Sequence, residues 1–177
     1  MANLQIGDEA IAFELPGVDG RTHSLTGLAA GNKATAVIFM CNHCPYVLGW
    51  MERLKGAARE YAGQGVAFAG INANDASKYP ADSFDNMKTL AEEWDLPFPY
   101  LWDESQEVAA AYGAERTPEI FVFDEDMRLR YHGAPDDNRD ETQVTEHYLR
   151  DALDAVLAGK DPPLRDSQPV GCTIKWK

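Results

Sequence analysis

The stretch Thr35-Ala36-Val37-Ile38-Phe39-Met40-Cys41-Asn42-His43-Cys44-Pro45 decides the fold of this chain. Its first six residues are mostly apolar and rich in β-branched side chains, a pattern that predicts a buried strand. In residues 45–61 the apolar side chains recur at helical spacing, which predicts a helix directly after the two cysteines. We therefore expect Cys41 just before the helix and Cys44 inside its first turn.

Two thiols at the start of a helix favour redox chemistry. The free backbone N–H groups of the first turn and the positive end of the helix dipole stabilise a thiolate, so thiol pKa values fall there from about 8.5 to about 3.5–7.5. The sequence therefore predicts a nucleophilic thiolate at Cys41. His43 lies between the thiols and is interpreted either as a cation that stabilises the thiolate or as a solvent-facing spacer.

Three other interpretations of the cysteines stay open. A structural zinc site normally needs a second ligand pair, and only Cys172 and isolated histidines remain as candidates, so no metal site is predicted. A copper- or zinc-handling protein would use Cys41, Cys44 and either His43 or Cys172. Two inert buried thiols are the third interpretation. Cys172 itself is interpreted as a small buried side chain, a third redox partner or an intermolecular thiol.

Composition indicates an ordinary folded protein. The 177 residues are 45% hydrophobic and 25% charged, which predicts a single domain with a substantial core. The formal net charge of -13 disfavours nucleic acid and anionic membranes as partners and fits neutral or basic proteins better. The first nine residues lack the basic start and apolar core of a secretory signal, and no apolar run is long enough for a membrane helix, so we expect a cytoplasmic protein.

The remaining pattern alternates strands and helices. Apolar runs, turn residues and helical spacing predict an N-terminal hairpin with an Asp19-Gly20 turn, a second central strand, an amphipathic helix, a short inserted strand and helix, a hairpin and a final helix. The inserted helix has Ser105 as its expected N-cap and Gly113 as its stop. The N-terminal hairpin is predicted at 11–15 and 22–25, the second central strand at 66–72 and the amphipathic helix at 83–94. The inserted strand and helix are predicted at 100–103 and 105–112, the last hairpin at 120–123 and 129–133, and the final helix at 145–157.

This order of elements, with Thr117-Pro118 ahead of the last hairpin, resembles the thioredoxin superfamily over nearly the whole chain. Residues 41–46 and 171–176 are similar to a peroxiredoxin-like, AhpC/TSA-related branch of it. The resemblance implies a thioredoxin-like α/β fold: a central mixed sheet flanked by helices, an N-terminal β-hairpin and an insertion before a cis-proline. We expect this domain in residues 1–163, with an irregular tail, 164–177, packed on or near it.

The resemblance also implies a function, a thiol-disulfide oxidoreductase that exchanges electrons with protein disulfides. Cys41 would attack the substrate and Cys44 would resolve the mixed disulfide. Pro118 would be cis and opposite the thiols, and the backbone of Thr117 would pair with the substrate chain. The expected partners are a protein disulfide and an unidentified thiol electron donor, with no cofactor.

Departures from the family pattern qualify this picture. Thr35 stands where thioredoxin has a buried acid, and Glu119 is the nearest acid in sequence, although a solvent-facing strand position is expected for it. Peroxiredoxins carry Thr or Ser three residues before the peroxidatic cysteine, whereas Ile38 precedes Cys41 here. Peroxide reduction therefore stays an alternative. The acidic run 136–141 is expected to be a solvated turn.

Overall fold

A five-stranded sheet forms the centre of the protein, which is described here from a computed structural model that covers residues 4–177. In chain order the strands are β1 Glu14–Pro16, β2 Thr22–Ser24, β3 Ala34–Phe39, β4 Val66–Asn72, β5 Tyr100–Trp102, β6 Arg116–Thr117, β7 Glu119–Asp124, β8 Leu129–Gly133 and β9 Cys172–Thr173. The helices are α1 Leu25–Ala29, α2 Pro45–Ala62, α3 Phe84–Glu93, α4 Glu107–Tyr112 and α5 Tyr148–Leu157.

The sheet is mixed, as expected. Its strand order is β5-β4-β3-β7-β8, with β3 parallel to β4 and antiparallel to β7. Every residue of β3 is buried, because the side chains of one face pack against α2 and α5 while those of the other pack against α1 and α4. A strand covered on both faces is continuously apolar instead of alternating, which explains the run before Cys41. The expected N-terminal hairpin is confirmed as β1 and β2.

Helix α2 determines where the thiols lie. Pro45 occupies its first turn, where a missing N–H costs nothing, and Trp50, Leu54 and Ala58 lie on the side that packs into the core. Burying a side chain of the size of Leu54 contributes about 1.5–3 kcal/mol. The start of α2 is therefore held firmly at the end of β3. None of the helices in the described residues is long and apolar enough to cross a bilayer.

Two helix starts differ from the prediction. The N-cap of α4 is Gln106, with φ 68°, and not Ser105. The Ser105 hydroxyl accepts the N–H of Glu107, while the Asp103 carboxylate accepts the N–H groups of Val108 and Ala109 that an N-cap side chain usually takes. Helix α5 begins at Tyr148 and not at Thr145, whose backbone N–H donates to the Asp137 carboxylate instead of entering the helix. Gly113 ends α4 in the left-handed conformation, as predicted.

The C-terminal tail has a defined course that periodicity could not reveal. It first runs beside β8, where His132 N–H donates to Arg165 and Ser167 N–H donates back to His132. It then forms β9, which pairs antiparallel with β6, and Ile174 is buried in the core beyond it. The Thr117-Pro118 bond is cis, as the family resemblance implied. The tail thus passes beside the cis-proline.

Candidate active site

The two thiols lie in the short loop between β3 and α2. Cys44 is the N-cap residue of α2, and its carbonyl accepts the N–H of Leu48. This corrects the expectation that Cys44 lies inside the first turn. Pro45 has no backbone N–H and therefore suits the first position of a helix, so α2 begins directly after Cys44. The Cys44 sulfur is thus the thiol at the N-terminus of α2. All three cysteines are free thiols, and Cys41 and Cys44 are each only 1% exposed.

Thr117 faces both thiols from the other side of the loop. Its hydroxyl oxygen is 3.6 Å from the Cys41 sulfur, and its carbonyl oxygen is 3.5 Å from the Cys44 sulfur. The second contact is a hydrogen bond only while Cys44 is protonated, because a thiolate has no proton to donate. The structure therefore brings together Cys41, Cys44 and Thr117, and a cis peptide bond joins Thr117 to the predicted site residue Pro118.

The pKa values of the two thiols move in opposite directions. Hydrogen bonds from the Cys41 thiol, then from the Cys172 thiol and the Val47 N–H, lower the pKa of Cys44 to about 4 although burial opposes this. The same bond to Cys44, together with burial and the nearby Asp82 carboxylate, raises the pKa of Cys41 well above its usual range. These directions favour the anion at Cys44, the residue at the helix N-terminus, whereas the sequence predicts it at Cys41.

His43 has a partner that the sequence did not reveal. Its Nδ1 is 2.8 Å from the carboxylate of Asp82, which is completely buried, while the His43 side chain is 43% exposed. Asp82 also accepts the backbone N–H of Asn42 at 2.7 Å and the side-chain amides of Asn72 and Asn74. His43 is therefore not a free spacer: a buried carboxylate holds both it and the backbone between the thiols.

Asp82 escaped the sequence analysis because no local pattern marks it. It lies in a short 3-10 turn, Pro80–Asp82, that is 40 residues from Asn42 along the chain. Asn72, at the end of β4, and Asn74 just beyond it supply the amides that hold the carboxylate. Polar residues directly after a buried parallel strand were the only available signal, since strand ends commonly border sites in open α/β sheets.

Cys41, His43 and Asp82 also form the arrangement most suited to a metal among the described residues. One ligand atom from each lies within 4.8 Å of the others. The oxygens of Asp82, however, already accept three N–H donors from Asn42, Asn72 and Asn74. A metal would have to displace the His43 contact, so the donor set fits a structural carboxylate better than a metal ligand.

Glu119 is buried, which corrects its expected solvent-facing position. The residue is only 1% exposed, and one oxygen of its carboxylate accepts the backbone N–H groups of Glu115 and Arg116. The other oxygen lies 2.7 Å from His132 on β8. Glu119 therefore supports the backbone that leads to Thr117 and does not contact the thiols.

The acidic run 136–141 is also more structured than predicted. Asp136 is buried and accepts the indole N–H of Trp50 at 2.8 Å and a guanidinium N–H of Arg53 at 2.6 Å. The rest of the run is exposed, as a solvated turn would be. Asp136 thus anchors α2 and belongs to the packing of the protein, not to a cation site.

Cys172 completes the cluster of thiols. It is a partly buried residue of β9, and its Cα lies opposite that of Thr117 in the β6–β9 pair. It packs against the buried cluster that contains Cys41 and Cys44, and burial together with the neighbouring Cys44 sulfur raises the pKa of Cys172 to about 11. All three thiols therefore belong to one cluster.

Comparison with known proteins agrees with the fold. A crystal structure of an uncharacterized conserved protein from Geobacillus kaustophilus is 44% identical, covers 98% of this chain and 93% of that chain, and superposes with a TM-score of 0.93. Peroxidoxin BcpB from Mycobacterium tuberculosis, at 22% identity, covers 89% of this chain and 98% of that chain with a TM-score of 0.68. The second likeness shows the thioredoxin-like fold alone.

Two further similarities come from sequence. Thiol-disulfide oxidoreductase ResA from Geobacillus thermodenitrificans is 27% identical over 130 residues, which are 72% of this chain and 68% of that relative. The model of the AhpC/TSA family matches residues 6–132, from the N-terminal hairpin to β8 and including both Cys41 and Cys44. Thioredoxin-like architecture and this match lead to one conclusion: the chain belongs to the AhpC/TSA family.

Proposed function

We propose that this protein is a thiol-disulfide oxidoreductase that uses Cys41 and Cys44 to exchange electrons with protein disulfides. The observation that carries the proposal is the position of the Cys44 sulfur at the N-terminus of α2, in contact with Cys41 and facing Thr117. Similarity to the protein named thiol-disulfide oxidoreductase ResA supports the same reaction class. Thr117 and cis-Pro118 are the proposed contact for the partner chain.

In this proposal the two thiols exchange the roles expected from the sequence. The Cys44 thiolate attacks one sulfur of the partner's disulfide, and the other partner sulfur leaves as a thiol. Cys41 then attacks Cys44, which releases the reduced partner and leaves a Cys41–Cys44 disulfide. His43, held by Asp82, has a ring nitrogen within 4.8 Å of the Cys41 sulfur. A thiol donor returns the pair to its reduced form.

Insulin reduction by dithiothreitol tests the proposal. We expect the wild-type protein to accelerate insulin precipitation, and Cys44→Ser to reduce the rate to that of dithiothreitol alone because the attacking sulfur is missing. Cys41→Ser should retain the first attack on the insulin disulfide. Equal precipitation rates for wild type and Cys44→Ser would contradict catalysis by this pair.

Peroxide reduction is a second candidate, supported by the family match and by the Cys44-Pro45 start of α2. Cys41, three residues before Cys44, stands where peroxiredoxins carry a hydroxyl residue. We therefore expect the reduced protein to consume stoichiometric hydrogen peroxide no faster than a free thiol does. Rapid consumption that depends on Cys44 would favour peroxidase activity instead.

A further inference from the structure

Strand β9 covers the backbone edge where a partner chain is proposed to pair. Thr117 lies opposite Cys172, and Arg116 lies opposite Thr173. The approach is so close that a Cβ atom on Gly171 would overlap the carbonyl oxygen of Thr117. An extended peptide that adds a strand to a sheet uses this same kind of edge. The tail of the chain therefore occupies the proposed partner's place beside cis-Pro118.

The tail also brings a sulfur to the place where a partner's sulfur would react. Cys172 pairs with Thr117, whose carbonyl oxygen lies 3.5 Å from the Cys44 sulfur, and it packs against the cluster that contains the almost completely buried Cys41 and Cys44. Cys172 is the most exposed of the three thiols. A partner disulfide can reach Cys44 only after β9 leaves Thr117, and pairing of β9 with Thr117 brings Cys172 back beside Cys44.

We propose that Cys172 is a third catalytic thiol, which releases the partner from Cys44 as β9 pairs again with Thr117. This inference rests on the proposed function and adds a step between its two thiol exchanges. A single movement then removes the partner's strand from Thr117 and breaks the partner's bond to Cys44.

The step balances as a two-electron exchange. The Cys44 thiolate attacks the partner's disulfide, whose S–S bond breaks, and the released partner sulfur takes a proton from water. Strand β9 returns, Cys172 loses its proton to water, and its sulfur attacks Cys44. A Cys44–Cys172 bond forms while the second partner sulfur leaves and is protonated. Cys41 finally displaces Cys172 from Cys44, which yields the Cys41–Cys44 disulfide and a free Cys172.

Electrostatics favours Cys172 over Cys41 as the first thiol to attack. The buried carboxylate of Asp82 opposes a negative charge on Cys41, while the ammonium group of Lys175 favours one on Cys172. Since the thiolate is the attacking species, Cys172 is the more available of the two.

A small disulfide probe, dithiobis(nitrobenzoate), tests this order. It reacts with the reduced protein to give a nitrobenzoate adduct on Cys44, and a second nitrobenzoate thiolate is released when a protein thiol resolves that adduct. We expect the adduct to persist at least about tenfold longer in Cys172→Ser than in wild type, because only Cys41 is left to resolve it. In Cys41→Ser the adduct should resolve at the wild-type rate, and mass mapping should identify a Cys44–Cys172 disulfide.

Gly171→Ala moves the strand without removing a thiol. Its added methyl group overlaps Thr117, so adduct formation should accelerate and adduct resolution should slow, each by at least about tenfold. Gly63→Ala is the matched control, because nothing lies within 4 Å of its added methyl group, and it should behave as wild type.

An unchanged adduct lifetime in Cys172→Ser, or a persistent adduct in Cys41→Ser, would overturn the role of Cys172. Neither result would affect the insulin assay, which tests the proposed function separately. Conversely, failure to reduce insulin combined with the expected adduct lifetimes would refute protein disulfides as substrates and leave the third thiol standing.

Discussion

Glu119 and His132 form a partly buried hydrogen-bonded pair across neighbouring strands β7 and β8, with 2.7 Å between the carboxylate and Nε2. The other ring nitrogen of His132 lies 2.6 Å from Asp166 in the tail. Because Glu119 also accepts two backbone N–H groups ahead of Thr117, this pair links the cis-proline loop, the sheet and the tail.

The pair predicts a pH-dependent stability. Burial works to lower the pKa of His132, but its hydrogen bonds to Glu119 and Asp166 outweigh burial and raise that pKa above its ordinary value. The protonated ring therefore adds to the free energy of unfolding fully below the unfolded-state pKa of about 6.5, and this contribution fades as pH rises through the higher folded-state pKa. The melting temperature of His132→Gln should fall below that of wild type by more at about pH 6 than at about pH 9.

The exposed His147 provides the control for this experiment. The difference in melting temperature between His147→Gln and wild type is measured over the same range, because this change also removes one imidazole. A difference for His132→Gln that does not vary with pH would mean that the charge of His132 does not contribute to folding.

A second prediction concerns the thiolate. The ultraviolet absorbance of thiolate in the reduced protein should titrate with a midpoint near 4, and this transition should vanish in Cys44→Ser. In Cys41→Ser the midpoint should rise, because the hydrogen bond that lowers the pKa of Cys44 most is lost. A wild-type midpoint at the ordinary thiol pKa would contradict a stabilised thiolate at Cys44.

Asp82 gives a third prediction through its charge. In a chain whose only thiol is Cys41, made by Cys44→Ser and Cys172→Ser, Asp82→Asn should lower the pKa of Cys41 because a nearby negative charge is removed. The midpoint of the pH profile for alkylation by iodoacetamide measures this shift. Asp103→Asn changes an equally buried carboxylate that caps α4, and it should leave the midpoint unchanged.

The fourth prediction is that the thiols carry no stoichiometric metal. Protein purified under reducing conditions should contain clearly less than one equivalent of zinc or copper, because the Asp82 oxygens are already occupied by N–H donors. Elemental analysis decides the matter. Near one equivalent in the wild type, lost in Asp82→Ala, would instead favour a metal site at Cys41, His43 and Asp82.

The parts of this molecule that follow local rules could be predicted from its sequence. The buried run before Cys41, the helical spacing after Pro45 and the turn between β7 and β8 each depend on residues close together in the chain. The cis bond before Pro118 was expected only because the order of elements resembled a family. Local signals thus located the thiols but did not define their surroundings.

The surroundings depend on contacts between distant residues. Asp82 reaches Asn42 across 40 residues, and Cys172 reaches Thr117 through a strand pair of two residues. Glu119 lies in β7, where every residue except Asp124 is buried. Its carboxylate is therefore paired with His132 of β8 and with backbone N–H groups that precede Thr117. Neither periodicity nor spacing carries such information, because each partner lies on another element of the fold.

The backbone bond between Ser167 and His132 limits how far Cys172 can travel. The few residues from Ser167 to Cys172 extend at most about 18 Å, so the tail thiol stays near Cys44 even after β9 has left Thr117. A group on so short a tether has a local concentration on the order of millimolar. A partner protein at lower concentration must therefore bind the Thr117 edge more tightly than the tail does, and this requirement would exclude chance encounters with unrelated disulfides.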